Sequence, residues 1–160
     1  MERLWSPWRM EYVSSVHGPE SGRCVFCDLV DGDDGTRILA LEDLAFVTLA
    51  EYPYNPGHLL VLPRRHTGEF EDVTAEEHAA MTALVQRSLA ALREEMAPHG
   101  FNLGMNLGRI AGAGIPEHLH WHVVPRWNGD SNAMTVIGET RVLPELLEQT
   151  FARLRPRFDP

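Results

Sequence analysis

The run His118-Leu119-His120-Trp121-His122-Val123-Val124 constrains this chain more than any other stretch. From His118 to Val123 histidine and apolar residues alternate, which is the period of a half-buried strand. The spacing predicts a strand over His118–Val124, ended by Pro125, with three imidazoles on one face. Leu119, Trp121 and Val123 then point the other way, into a core. Packing alone does not explain such a row. Buried imidazoles need hydrogen-bond partners, and neighbouring ones resist joint protonation. The row marks the chain as an enzyme candidate.

The elements around it follow from pattern and punctuation. Ile38–Leu41 and Ala45–Leu49 read as strands joined by a turn at Glu42-Asp43. Tyr52-Pro53-Tyr54-Asn55-Pro56-Gly57 is a loop, and His58–Leu62 a strand closed by Pro63. Thr74 with Glu77 forms a capping box. The helix it starts runs from Ala75 to Glu95, with Met81, Leu84, Val85, Leu89 and Leu92 on its apolar face. Phe101–Asn106 reads as a strand that presents Asn102 and Asn106 on one side. Residues 108–116 form a glycine-rich loop, and Asp31 to Gly35 a turn. A last helix starts at Pro144 and ends near Leu154. Strands that follow one another with one long and one terminal helix predict an α+β fold built on an antiparallel sheet.

The 160 residues suffice for one domain with a sizeable core, taken as 1–160 with 1–23 an arm carrying Trp5, Trp8 and Tyr12. The start of the chain lacks a signal-peptide apolar core and no stretch is long enough to span a bilayer, so a cytoplasmic location is expected. A formal charge of −9 disfavours nucleic acid and anionic membranes as partners. All 14 basic residues are arginine, which removes lysine as a nucleophile or phosphate clamp. Cys24 and Cys27 are the two cysteines. Their spacing suits a metal half-site or a redox pair, set against two ordinary buried thiols.

Phosphoryl or nucleotidyl transfer needs a nucleophile, donors for phosphate oxygens and a group to handle the leaving oxygen. A central histidine fits the first role if one ring nitrogen is bare and the other donates to a fixed acceptor. The loop Gly108-Arg109-Ile110-Ala111-Gly112-Ala113-Gly114 can bring backbone N–H groups to phosphate. Asn102 and Asn106 can donate amides, and Arg109 or Arg126 can offset phosphate charge.

On these residues the chain resembles the histidine triad family of nucleotide hydrolases and transferases, whose signature is His-φ-His-φ-His-φ-φ. Leu4-Trp5-Ser6-Pro7-Trp8-Arg9, Asn106 through Glu117, and Pro125-Arg126-Trp127-Asn128-Gly129-Asp130 resemble its bacterial diadenosine tetraphosphate phosphorylase branch. The resemblance implies a five-stranded antiparallel sheet. It implies that His120 is the nucleophile, that His122 contacts phosphate and orients the reacting group, and that His118 and Asn106 complete the catalytic set. Thr48, Asn102, Asn106, Gly108, Arg109, Gly112, Gly114, Ile115, His120 and His122 would bind nucleotide, Thr48 at the family's ribose-binding position. Ile115-Pro116-Glu117 stands where the hydrolases carry Gln, Ser or Thr, which turns expectation toward inorganic phosphate as acceptor. The implied reaction is reversible conversion of diadenosine tetraphosphate and phosphate to ATP and ADP. Hydrolysis of dinucleoside polyphosphates or adenylyl conjugates, and a non-catalytic nucleotide-binding module, are the alternatives. The family pattern also implies structural zinc on Cys24, Cys27, His66 and His118, no organic cofactor, and a homodimer or homotetramer. His58 either shapes the pocket or ends a loop. His17, His78 and His99 read as surface residues.

Overall fold

The computed structural model describes residues 24–32, 37–130 and 145–159. The aromatic arm and Pro144 lie outside these. The order is helix α1 (Val25–Asp31), strands β1 (Ile38–Leu41), β2 (Ala45–Leu49) and β3 (Leu59–Pro63), helix α2 (Ala75–Met96), strands β4 (Gly100–Gly104) and β5 (Trp121–Arg126), and helix α3 (Leu147–Leu154). The strands form one antiparallel sheet in the order β1-β2-β3-β5-β4. This is the α+β architecture expected, with one long and one terminal helix. Among the described residues no helix is long and apolar enough to cross a membrane.

Strand β3 is buried along its whole length because both faces are covered. On one face Leu59 and Val61 pack with Val47, Leu49 and Val123 against Met81, Leu84 and Leu92 of α2. On the other, Leu60 and Leu62 pack with Ile38, Phe46 and Phe26 of α1. α2 begins at the expected cap: the Glu77 N–H donates to Thr74 Oγ1, and the Thr74 N–H donates to Glu77 Oε2. The same buried carboxylate accepts Arg65 Nε and Nη2 at 2.9 and 2.8 Å. That pair fastens the exit of β3, and so His66 beside it, to the start of α2.

Several boundaries differ from the sequence reading, and the larger shifts have backbone reasons. β5 starts at Trp121, so His118 and His120 precede the strand. Its pairing with β3 stops at Val61 opposite Trp121, and Pro63 just beyond has no N–H with which to extend the ladder. β4 ends at Gly104 rather than Asn106: the register would set Asn106 opposite His120, which precedes β5. β5 in turn runs through Pro125 to Arg126. The Pro125 carbonyl faces Asn55, whose Nδ2 donates to it at 2.9 Å. The missing N–H of Pro125 lies on that same side, where β3 pairing has ended, so nothing is lost. Val25–Asp31 is a helix where the sequence reading placed no element. The start of β3 shifts by one residue, since His58 belongs to the closing turn with its N–H on the Asn55 carbonyl. Gly57 in that turn has φ +74°, and a Cβ there would lie 2.6 Å from Met96 Sδ.

Strand register lays out the floor of the site. Thr48 pairs with Leu60, Leu60 with His122, and His122 with Gly104. Residues opposite one another share a face, so these four form one row across the sheet on the side of α1.

Candidate active site and metal cluster

His118 and His120 lie ahead of β5, and the chain bends at His118. The Leu119 N–H donates to the Thr67 carbonyl at 2.7 Å, outside any regular ladder. Leu119 and Val123 face the α2 side, as expected. His120 and His122 sit edge to face with ring centres 4.9 Å apart. Phe26 packs against His118 at 5.5 Å and His120 at 5.4 Å.

Each ring has a tautomer set by a fixed partner. His120 Nδ1 donates to the His118 carbonyl at 2.8 Å, so its Nε2 carries the lone pair. Burial holds His120 below the ordinary imidazole value, against the smaller upward pull of that hydrogen bond. His120 is therefore neutral near pH 7 and available as a nucleophile. His58 accepts the Tyr54 N–H at Nδ1 (3.1 Å), which leaves its proton on Nε2. Nε2 donates to His122 Nδ1 at 3.0 Å, so His122 bears its own proton on Nε2. Next to a bare nitrogen on His120, this chain sets a donor on His122. His58 is thus part of the site, and Tyr54 stacks on it with ring centres 4.8 Å apart.

Cys24, Cys27, His66 and His118 converge, with their ligand atoms all within 4.8 Å of one another. The Sγ···Nδ1 separations are 3.4 Å for Cys24–His118, 3.7 Å for Cys27–His118 and 3.5 Å for Cys27–His66. Zn–S bonds of about 2.3 Å and Zn–N bonds of about 2.0–2.1 Å at tetrahedral angles require S···N edges of about 3.5 Å. The cluster has the dimensions of a tetrahedral zinc site. His118 Nε2 donates to the Pro63 carbonyl at 2.9 Å, which turns its bare Nδ1 toward the thiols. Burial pushes His118 toward its neutral form, as a ligand needs. Burial, and then the neighbouring Cys24, push the Cys27 thiol up to about 11. A cation among the four groups reverses that penalty by stabilising both thiolates.

Two clefts meet at Tyr54 and His122. The larger, about 460 Å³, brings together Thr48, Arg109, Gly112, Gly114, Ile115, His120 and His122 from the expected set. The sequence reading missed its other wall, Val25, Phe26 and Leu29 of α1, and its rim, Arg37 and Glu51. Thr48 is buried, and its hydroxyl donates to the Arg37 carbonyl at 3.2 Å. Asn102 and Asn106 line the smaller cleft, of about 380 Å³, on the other side of His122. Asn106 Nδ2 donates to the Gly112 carbonyl at 3.4 Å, and Asn102 Oδ1 accepts Arg126 Nη1 at 2.7 Å. Gly108 lines neither cleft. Its φ of +77° starts the loop, and its carbonyl accepts the Ala111 and Ala113 N–H groups.

The smaller cleft is braced by Asp130, which accepts Arg126 Nε and Nη2, Asn55 Nδ2 and the Trp127 N–H. The Arg126 guanidinium holds the Asp130 carboxyl well below its ordinary 3.8. A carboxyl lowered by folding stabilises fully above its unfolded value and gives that up as pH falls through the folded one. The urea midpoint of the wild type is therefore expected to exceed that of Asp130→Asn above pH 4. The gap should narrow steadily below it, and a pH-independent gap would contradict the ion-pair account.

A family profile described as the HIT domain matches residues 33–129. The chain is 41% identical over 157 residues to the AP-4-A phosphorylase of Mycobacterium tuberculosis, covering 94% of this chain and 80% of that one. It is similar to a Zn-bound histidine triad family protein from Mycobacterium smegmatis, with TM-score 0.70, 34% identity, and 86% and 94% of the two chains covered. A HIT family protein from Bacillus anthracis aligns with TM-score 0.62 and 29% identity over 67% of this chain and 75% of that one.

Proposed function

The chain belongs to the HIT-domain family, and from that premise we propose that it is a nucleotidyltransferase that converts diadenosine tetraphosphate and inorganic phosphate to ATP and ADP. The observation that carries this reading is the bare Nε2 of His120 in the larger cleft beside the Nε2–H donor of His122. The similarity to an AP-4-A phosphorylase supports the choice of substrate.

In the first step His120 Nε2 attacks the α-phosphorus of one adenylyl unit. A P–N bond forms as the P–O bond to the leaving ATP breaks. His122 donates to a non-bridging oxygen as charge builds there, and Arg109 offsets the charge of the chain. The His120 Nδ1–H stays on the His118 carbonyl and steadies the cationic ring of the intermediate. In the second step a phosphate oxygen attacks the same phosphorus, the P–N bond breaks, and ADP leaves. Asn106, which lines the smaller cleft with His122, would meet the polyphosphate. Cys24, Cys27, His66 and His118 would hold a metal ion, whose contribution would be structural, fixing the segment that carries His120.

β4 is an edge strand with Leu103 exposed, and Leu107 and Ile110 follow it on the surface. This open, apolar edge supports assembly of a homodimer or homotetramer.

The test is product analysis of diadenosine tetraphosphate turnover with and without phosphate. ATP plus ADP that forms only with phosphate is the expected result. ATP plus AMP without phosphate would make the protein a hydrolase.

A further inference from the structure

The larger cleft changes chemistry along its length. Phe26, Leu29 and Leu60 make one end apolar, and His120 and His122 lie at the other. A nucleotide that places its base in the first and its phosphate at the second leaves its ribose between them. Two vicinal hydroxyls there need an acceptor, and a carboxylate with two oxygens suits them best. Thr48 is a poor candidate. It is 1% exposed, and its hydroxyl proton is committed to the Arg37 or Leu49 carbonyl at 3.2 and 3.3 Å. Glu117, the other carboxylate on the cleft, belongs to the segment that leads into His118, at the phosphate end.

Glu51 lies two residues beyond the end of β2 and faces the cleft. Arg37, also on the cleft, holds Glu51 Oε2 through Nη1 at 3.2 Å. That contact aims the carboxylate while leaving Oε1 for a ligand. It also offsets a negative charge that would otherwise repel an incoming nucleotide. Thr48 acts one step back, fixing the Arg37 carbonyl together with the Leu49 N–H at 3.2 Å. We infer that Glu51, positioned by Arg37, accepts the ribose hydroxyls of the bound nucleotide and selects ribonucleotides over 2′-deoxyribonucleotides. This rests on the adenylyl-transfer reading for the choice of ligand.

The experiment is calorimetric titration of AMP and 2′-deoxy-AMP into the wild type, Glu51→Ala and Thr48→Val, with a thermal melt of each. The wild type is expected to prefer AMP by about tenfold or more, the loss typical of a charged acceptor left without its hydroxyl. Glu51→Ala should weaken AMP more than 2′-deoxy-AMP, which has only its 3′-hydroxyl contact to lose, so that the preference falls to near one, with the melt unchanged at so exposed a position. A preference that survives in Glu51→Ala overturns the assignment, and its loss in Thr48→Val alone gives the diol to Thr48. Equal wild-type binding of the two nucleotides overturns the role of Glu51 and leaves phosphate-dependent turnover intact. Failure of the wild type to bind AMP overturns the nucleotide reading and Glu51 with it.

Discussion

Alanine at position 120 is expected to lower turnover of diadenosine tetraphosphate by about 10,000-fold or more, the scale seen when a covalent nucleophile is removed. AMP affinity should change far less. The apolar wall, Arg109 and His122 line the cleft independently of the imidazole. His120 keeps its Nδ1–H on the His118 carbonyl, which leaves Nε2 bare for attack. An acid quench is the wrong way to look for the intermediate, since a P–N bond is labile in acid. An alkaline quench of wild type with labelled substrate should trap label on protein, and the His120→Ala variant should trap none. His122→Asn separates the roles further. It keeps a donor near the reacting phosphate, so a loss nearer 100- to 1,000-fold is expected, the range for a single transition-state donor. A His120→Ala enzyme that still traps label would move the nucleophile elsewhere in the cleft.

How far the sequence carried depended on whether a residue's role was local. β1 and β2 were legible to the residue, because each is a short, largely apolar run bounded by turn signals. The start of α2 was legible because its cap is made within four residues. The histidine row was legible as a shared face, yet the strand that should contain it begins three residues later. Pro63, far away in sequence, decides that boundary by lacking an N–H. Other features depend on pairing across the sheet. Asn102 and Asn106 face alike, as alternation predicts, but His122 stands between them and the larger cleft. Thr48 sits on the floor of the cleft as expected, yet its hydroxyl is turned to Arg37 rather than to a ligand. His58 carried a signal in its place after the Tyr-Pro-Tyr-Asn-Pro-Gly loop. Its partner is 64 residues away, and only register brings the two rings together. Helix α1 had the weakest signal, seven residues without a side-chain cap.

That helix makes the metal the second large lever. Chelation is expected to lower the melting temperature by about 8–16 °C. A site saturated to 1,000 times its Kd contributes about 4 kcal/mol, and each kcal/mol is worth about 2–4 °C in a chain of this size. α1 buries one residue fully, Phe26, and too few turns remain to hold it without help. Cys24 and Cys27, at its N-cap and in its first turn, fasten it to His66 after β3 and to His118 before β5. Release of the helix loosens Val25, Phe26 and Leu29 together, the apolar wall of the cleft. AMP affinity should therefore fall on chelation and return when zinc is restored. The effect also has a direction in pH. Cys27 stands at about 11 without a cation, so binding must displace its proton, and the metal is held less tightly as pH falls. The purified protein is expected to carry one zinc per chain, and Cys27→Ala to carry little and to melt near the chelated wild type. A melting temperature and AMP affinity that ignore both chelator and substitution would reduce the cluster to two thiols beside two imidazoles, with α1 held by Phe26 alone.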